Sequence, residues 1–252
     1  DVVVESFQPG VITEMGLNFE ALEELKPGIV LTSITPFGQT GPWRNYQATD
    51  LIEYAASGLS NLNGIQGREP LKSPGYESYY HAGLSAFNGS MTAICSRDLT
   101  GTGQHVDVSI LEAATSIFGP QLLGALYSEK SPQRRSPDGP AGLFPCKDGY
   151  VSLNVRHEPT WQFMWLFFGE PEMADDPRFA TQNDRRRRSK ELEQLLLPYL
   201  AEYTREELFH GLSPLRILVG MVLEVDDVIN DPHLQEREFF SESVHPIAGK
   251  VI

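Results

Sequence analysis

Two short apolar runs frame a helical pattern at the start of the chain. Residues 2–5 form a β-branched run, and residues 29–34 form a second apolar run. Between them Leu22 and Leu25 stand three positions apart, which is typical of one face of a helix. A strand, a helix and a second strand with short connections predict a parallel α/β sheet.

A loop rich in glycine and proline, residues 37–43, follows the second predicted strand. Doubly wound sheets bind ligands at the carboxyl ends of their strands, so this loop is the first candidate for a ligand-binding wall. Residues 50–59 then predict a helix with Thr49 or Asp50 as its N-cap and Gly58 near its C-cap.

The segment 81–97 mixes small side chains with large apolar ones. A helix of this composition packs closely against its neighbours, so we expect it to be central. A tight turn at residues 101–103 then leads into a predicted strand at 104–111, which passes directly into a helix from Glu112.

The composition predicts a globular chain. Its 252 residues, 40% of them apolar, are enough to bury a sizeable core. The longest apolar runs, such as residues 215–225, contain charged side chains and fall short of the roughly 20 residues of a membrane span, so no membrane partner is expected. With no basic leader at its start, the chain is expected to be cytoplasmic.

The charge disfavours a nucleic-acid partner. Thirty-four acidic against twenty basic residues give a formal net charge of −14, whereas a phosphate backbone attracts clustered Lys and Arg. The dense basic run at residues 185–188 is interpreted as a solvated helix start, with an anion contact as the alternative. Cys95 and Cys146 are expected to be free thiols in a reducing cytosol.

Six segments in a fixed order carry a resemblance to a known family. They are residues 1–10 (DVVVESFQPG), 37–59 (FGQTGP followed by ATDLIEYAASGL), 101–112 (GTGQHVDVSILE), 145–151 (PCKDGYV), 172–179 (EMADDPRF) and 231–240 (DPHLQEREFF). Together they resemble the class III CoA-transferases, the CaiB/BaiF family, which includes formyl-CoA and carnitine-type CoA-transferases and 2-methylacyl-CoA racemases.

The resemblance implies a Rossmann-like parallel sheet in a large CoA-binding domain plus a smaller α+β domain. We expect the large domain at 1–130, a linker at 131–142, the small domain at 143–238 and a return linker at 239–252. The family's first βαβ turns are expected to be missing before residue 1. The implied assembly is an interlocked homodimer, or a heterodimer with a paralogue.

The position of the family's nucleophile is occupied by a tyrosine. In the family an Asp stands four residues before the Gly that opens the central helix; here that Gly is Gly83, and Tyr79 takes the place of the Asp. A phenol, with a pKa near 10, is a poor nucleophile at neutral pH. Glu77 is the nearest carboxylate, but two helical positions turn it about 200° away, so it is either a stand-in nucleophile or a solvated surface residue.

The racemase branch of the family uses a His and an Asp on opposite sides of the thioester α-carbon. Thr49 stands where that His is expected, and Asp50 matches the Asp beside it. Racemase chemistry by this route is therefore not expected. Asp50 is a candidate base, with a helix-capping carboxylate as the commoner role.

Coenzyme A, here a substrate, needs donors for its phosphates and an apolar face for adenine. By resemblance Ser6 and Phe7 supply contacts, with Phe7 as the stacking candidate. Arg44 is a candidate for a phosphate, and the backbone N–H groups of Gly38 and Gln39 are candidates for polarising a thioester carbonyl.

No metal is expected, because the six histidines are scattered and none has the spacing of a zinc or non-haem iron site. His81 is the one near the proposed centre, as an acid–base helper or as a capping residue. The leading hypothesis is transfer of CoA from an acyl-CoA thioester to a small carboxylic acid. The alternatives are a catalytically divergent CoA-binding subunit that partners an active homologue, and a CoA-thioester racemase, lyase or hydrolase.

Overall fold

The structure, a computed structural model, describes residues 1–65, 67–128 and 140–251. The chain divides into two units, Asp1–Ser136 and Pro137–Ile252. Most of the linker expected at 131–142 lies outside the described residues. Its last two residues, 141 and 142, already belong to a strand.

A parallel sheet forms the centre of the first unit. Its strands are β1 (Val2–Glu5), β2 (Val30–Thr35) and β3 (Gln104–Ser109), paired in the order β1-β2-β3. Val30 and Leu31 in the middle strand are fully buried, as expected for a strand covered on both faces. The predicted parallel α/β sheet is confirmed.

Helices connect and flank this sheet. They are α1 (Val11–Glu14), α2 (Phe19–Leu25), α3 (Asp50–Ala56), α4 (Leu59–Leu62), α5 (Glu77–Thr100), α6 (Ile110–Ser116) and α7 (Gly119–Ser128). Leu22 and Leu25 lie in one helix, as expected; Leu22 is buried, and Leu25, the last residue of α2, is 79% exposed. One expectation needs correction. The helix after β3 begins at Ile110 rather than at Glu112, with Ser109 as an N-cap that accepts the Glu112 N–H.

The central position expected for α5 is confirmed by its packing. Its buried face is small throughout, formed by Ala82, Ala86, Ser90 and Ala93, and it lies against β2 and β3. A Cβ atom added at Gly89 would stand 2.8 Å from Val106 Cγ1. The helix therefore approaches the sheet as closely as a glycine allows.

The opposite face of α5 is large, apolar and exposed. Tyr76, Tyr80, Leu84, Phe87 and Met91 recur every three or four residues, and each is more than 40% exposed. In the first unit, therefore, α5 has one small buried face and one large uncovered face.

The second unit is α+β, as expected. Its antiparallel strands are β4 (Ala141–Cys146), β5 (Gly149–Asn154) and β6 (Leu218–Met221), in the order β4-β5-β6. The helices are α8 (Glu158–Phe167), α9 (Gln182–Arg187), α10 (Ser189–Leu200), α11 (Arg205–Leu212), α12 (Val225–Ile229) and α13 (Pro232–Glu236), and the hairpin β7 (Ser243–His245) and β8 (Gly249–Val251) follows.

One member of the basic run belongs to the core of this unit. Arg185 is 1% exposed, its guanidinium lies 4.4 Å from the centre of the Trp161 ring, and it pairs with Glu158. The interpretation of the whole run as a solvated helix start is therefore wrong at Arg185. A planar guanidinium stacks on an aromatic face at little desolvation cost, which explains its burial.

Both cysteines are free in the described part of the chain, as expected. None of the helices in the described ranges is long and apolar enough to cross a membrane.

Candidate functional site

A cavity of about 340 Å³ lies at the carboxyl edge of the parallel sheet. All three strands contribute to it through the first residues after their ends: Ser6 follows β1, Pro36 follows β2 and Ile110 follows β3. The other lining residues are Ile34, Glu53, Tyr79, Ala82 and Gly83. This is the edge at which α/β sheets bind ligands, and it brings together Ser6 and Tyr79, two of the candidate residues, with Gly83.

The glycine-rich loop borders a separate depression of about 370 Å³, lined by residues that include Gly38, Trp43 and Asp107. The backbone N–H of Gln39 donates to both carboxylate oxygens of Asp107, at 3.1 and 3.0 Å. That N–H is therefore engaged within the protein. The side-chain Nε2 of Gln39, by contrast, is buried and has no hydrogen-bond partner among the described residues.

Asp50 joins α3 to the start of α5. Its Oδ1 accepts a hydrogen bond from the backbone N–H of Ser78 at 3.0 Å, and its Oδ2 lies 2.6 Å from Lys72 Nζ. Ser78 is in the first turn of α5, where N–H groups have no acceptor within the helix. Asp50 is 4% exposed, so its buried carboxylate is held by one hydrogen bond at Oδ1 and one ion pair at Oδ2, which makes no hydrogen bond among the described residues. The geometry favours the capping role, although the helix that it caps is α5 rather than its own.

Glu53, which was not among the residues expected at the site, lies one helical turn after Asp50. Its side chain is fully buried, it borders the cavity, and neither carboxylate oxygen has a hydrogen-bond partner in the described part of the chain. Burial, and then the negative charge of Asp50, raise the pKa of Glu53 to about 7. Near neutral pH the carboxyl group of Glu53 is therefore protonated in part of the molecules and ionised in the rest. The spacing i, i+3 in DLIE is the sequence signal that places both acids on one helix face.

Tyr79 lines the same cavity from the start of α5 and is 40% exposed. Its ring stacks on Tyr76 with centroids 6.0 Å apart. Burial and the neighbouring charge of Glu53 raise the pKa of the Tyr79 phenol above its ordinary value. Ionisation is thus harder here than in water, which strengthens the expectation that Tyr79 is a poor nucleophile.

Glu77 is not among the described residues that line the cavity. Because α5 begins at Glu77, the helical angle of about 200° between it and Tyr79 applies. The structure thus brings Glu53, rather than Glu77, to the cavity beside Tyr79. A role of Glu77 as nucleophile stays a prediction.

The remaining candidates lie at the surface. Thr49 is the N-cap of α3 but makes no side-chain cap bond, and it is exposed. Phe7 is 48% exposed, with its N–H donating to Glu5 Oε2 at 2.7 Å. Arg44 is exposed, and His81 is partly buried on α5. Their roles in catalysis or in CoA binding stay predictions.

Within the described ranges, the His, Cys, Asp and Glu side chains form no group of three or more that could hold a metal ion.

Comparison with known proteins identifies relatives along the whole chain. The chain is 32% identical over 262 residues to the succinyl-CoA:(R)-benzylsuccinate CoA-transferase subunit BbsE of Thauera aromatica, covering 99% of this chain and 63% of the relative. It is 28% identical over 257 residues to the succinyl-CoA–D-citramalate CoA-transferase of Chloroflexus aurantiacus, covering 100% of this chain and 64% of the relative. The succinyl-CoA–L-malate CoA-transferase alpha subunit of Chloroflexus aurantiacus is 28% identical over 248 residues, covering 96% of this chain and 58% of the relative. The chain thus spans less than two thirds of the length of these relatives.

The fold has solved counterparts. A CAIB/BAIF family protein from Brucella suis superposes with a TM-score of 0.84 at 29% identity, covering 97% of this chain and 65% of that chain. The family model for CoA-transferase family III matches residues 1–251. A match of that extent, supported by the shared fold, shows that the chain belongs to CoA-transferase family III.

Proposed function

We propose that this chain binds a CoA thioester and takes part in moving CoA from an acyl-CoA to a small carboxylic acid. The observation that carries the proposal is the family match over residues 1–251. Three relatives with succinyl-CoA in their names make succinyl-CoA the first donor to test.

The cavity at the sheet edge supports this function. A volume of about 340 Å³ falls at the lower end of the range for small-molecule sites, roughly 300–1,000 Å³. Ile34, Ala82 and Ile110 give it an apolar wall, and Ser6, Glu53 and Tyr79 give it polar groups. We assign it to the acyl group and the sulfur end of pantetheine.

Contacts to the rest of CoA are proposed for the surface around this edge. Phe7 is exposed enough to stack on the adenine ring, and the exposed side chain of Arg44 is accessible to a phosphate. The backbone N–H of Gln39 is held by Asp107, and its side-chain Nε2 is buried, so Gln39 is not proposed as a surface contact to CoA. The N–H of Gly38 as a donor to the thioester carbonyl stays a prediction, because Gly38 borders the separate depression and not this cavity.

The function is tested by incubating the purified protein with succinyl-CoA and a panel of small dicarboxylic acids. Formation of a new acyl-CoA is followed by mass spectrometry. Transfer to at least one acceptor is the expected result. No exchange with any donor and acceptor pair, together with no binding of any CoA thioester, would contradict the proposal.

A second candidate function is a CoA-binding subunit that does not itself perform the transfer. Tyr79 at the position of the family's Asp favours it, since the phenol is a weaker nucleophile than a carboxylate. Two relatives are themselves named as subunits. This candidate predicts thioester binding without exchange by the purified chain, and exchange by the chain alone that is lost in Tyr79→Ala or Glu77→Ala would rule it out.

The proposed assembly is an interlocked homodimer, or a heterodimer with a paralogue that carries the Asp. The choice between them follows the choice of function. A self-sufficient transferase is expected as a homodimer, and a divergent subunit is expected with a partner.

A further inference from the structure

The carboxyl group of Glu53 is buried and has no hydrogen-bond partner among the described residues. Both its oxygens are buried, and neither meets a hydrogen-bonding group in the described ranges. Leaving a buried polar group unpaired costs on the order of 1–3 kcal/mol, and a charge costs more. The same side chain borders the cavity at the sheet edge. The missing partner can therefore be supplied by a ligand in that cavity.

Burial is the main cause that favours the acid form of Glu53, and the negative charge of Asp50 on the same helix adds to it. Asp50 is itself paired with Lys72, from the loop that precedes α5. From α5 the phenol of Tyr79 faces it, and α6 carries only the exposed Glu112. The short helix α4, which packs on α3, has the sequence LSNL and adds no titratable side chain. The described residues that line the cavity with Glu53 include no Lys, Arg or His.

We propose that Glu53 holds a proton and donates it in a hydrogen bond to the carbonyl oxygen of the thioester bound in this cavity. The inference rests on the proposed function, because it presupposes that a CoA thioester enters the cavity.

The electrostatics select a neutral acceptor over an anionic one. The described lining residues of the cavity include no Lys or Arg, and Asp50 is a negative neighbour of Glu53. Directly facing Glu53, a free carboxylate would add a negative charge beside Asp50, whereas a thioester carbonyl accepts the hydrogen bond and stays neutral.

The hydrogen bond has a chemical consequence. A donor aimed at the carbonyl oxygen polarises the thioester and stabilises the negative charge that develops there when a nucleophile attacks. In a site shielded from water such a bond is stronger than in solution. Glu53 is therefore assigned as a recognition residue of the thioester group, and no covalent role is assigned to it.

The test compares two ligands that differ only at the carbonyl. Acetyl-CoA has the thioester carbonyl, and S-ethyl-CoA, a thioether, has a methylene group in its place. Their dissociation constants are measured by titration calorimetry at pH 6 and pH 8, and the ratio of the two constants removes the titration of the CoA phosphates, which both ligands share.

For the wild-type protein we expect acetyl-CoA to bind more tightly than S-ethyl-CoA at pH 6. This preference falls about tenfold by pH 8, because a group with a pKa of about 7 loses its proton between these values. Glu53→Gln, whose amide donates at every pH, is expected to keep the preference and to lose its pH dependence. Glu53→Leu is expected to lose the preference at both pH values, with thermal unfolding as the check that it is folded.

A wild-type preference that does not change with pH, or a Glu53→Gln variant with the wild-type pH dependence, would overturn the inference while leaving the proposed function intact. If neither ligand binds the wild-type protein, the inference is overturned, and titration with succinyl-CoA then decides the proposed function separately.

Discussion

At the scale of single residues, two acids one helical turn apart have opposite environments. Asp50 has a backbone N–H at 3.0 Å and a lysine ammonium at 2.6 Å. Glu53 has neither, and its burial raises its pKa to about 7. The difference comes from their positions on α3: Asp50 is at the end that meets the first turn of α5, and Glu53 faces the cavity.

The first prediction concerns stability and Glu53. Between the ordinary glutamate pKa of 4.5 and about pH 7, the unfolded chain loses the proton and the folded chain keeps it, so the free energy of unfolding falls as pH rises through this window. Glu53→Gln removes the titration. We expect this variant to be more stable than wild type at pH 8, by on the order of 2 kcal/mol, with a much smaller difference at pH 5. Urea denaturation at the two pH values measures it.

Glu77→Gln is the matched control, since it makes the same change at the first residue of α5, outside the described lining of the cavity. A carboxylate at a helix N-terminus is stabilising, so Glu77→Gln is expected to lower the free energy of unfolding by about 0.3–1 kcal/mol at pH 8. This change is opposite in sign to the one expected for Glu53→Gln. Equal stabilisation of Glu53→Gln at pH 5 and pH 8 would show that ionisation is not the cause.

At the scale of elements, the close contact between α5 and the sheet depends on Gly89, which has no side chain, facing Val106 of β3. The added Cβ of Gly89→Ala would lie 2.8 Å from Val106 Cγ1, so the helix or the strand has to shift. We expect this variant to lose about 1–3 kcal/mol of unfolding free energy. The measurement is denaturant unfolding of the purified protein.

Gly83→Ala provides the control on the same helix, because no atom lies within 4 Å of its added Cβ. Alanine is the better helix former, so this variant is expected to gain about 0.5–1 kcal/mol. Two variants with the same sign and size of change would contradict the close approach of α5 to β3.

These elements were largely predictable from the sequence, but the burial of their individual residues was not. β-branched runs predicted β1 and β2, and the small residues at 81–97 predicted a central helix. Periodicity shows which residues share a face, but it does not show what lies opposite. Leu22 and Leu25 share a helix, yet only Leu22 is buried, and Arg185, expected to be solvated, is buried against the Trp161 ring.

The candidate site was predicted in outline. The candidates Ser6 and Tyr79 line one cavity at the strand ends, whereas the loop at residues 37–43, the first candidate wall, borders a separate depression. Their roles in ligand binding stay predictions. Glu53 was missed, because acids on helices are usually solvated and its burial depends on contacts with α5 and α6 that are distant in sequence.

At the scale of the whole molecule, the uncovered face of α5 is a surface that the first unit leaves unexplained. Tyr80, Leu84 and Phe87 on this face are 68%, 60% and 63% exposed. A contiguous apolar face of this kind on a globular protein marks an interaction surface.

We therefore expect this chain to self-associate. Light scattering coupled to size exclusion, at micromolar concentration, is expected to give at least twice the mass of one chain. Leu84→Glu should shift the protein towards monomer, because it places a charge in the apolar face, whereas Asp98→Lys, an exposed charge change near the other end of α5, should not. A wild-type protein that elutes as a clean monomer would contradict this expectation.

The central claim is that the cavity at the carboxyl edge of the parallel sheet holds the acyl end of a CoA thioester. Its most direct test is the affinity of succinyl-CoA for Gly83→Phe, which fills the cavity, compared with Ser85→Phe, which adds the same bulk to an exposed position of α5 outside the described lining residues. The account predicts that Gly83→Phe weakens binding at least tenfold and that Ser85→Phe binds like wild type. Equal affinity of the wild-type protein and Gly83→Phe would contradict it.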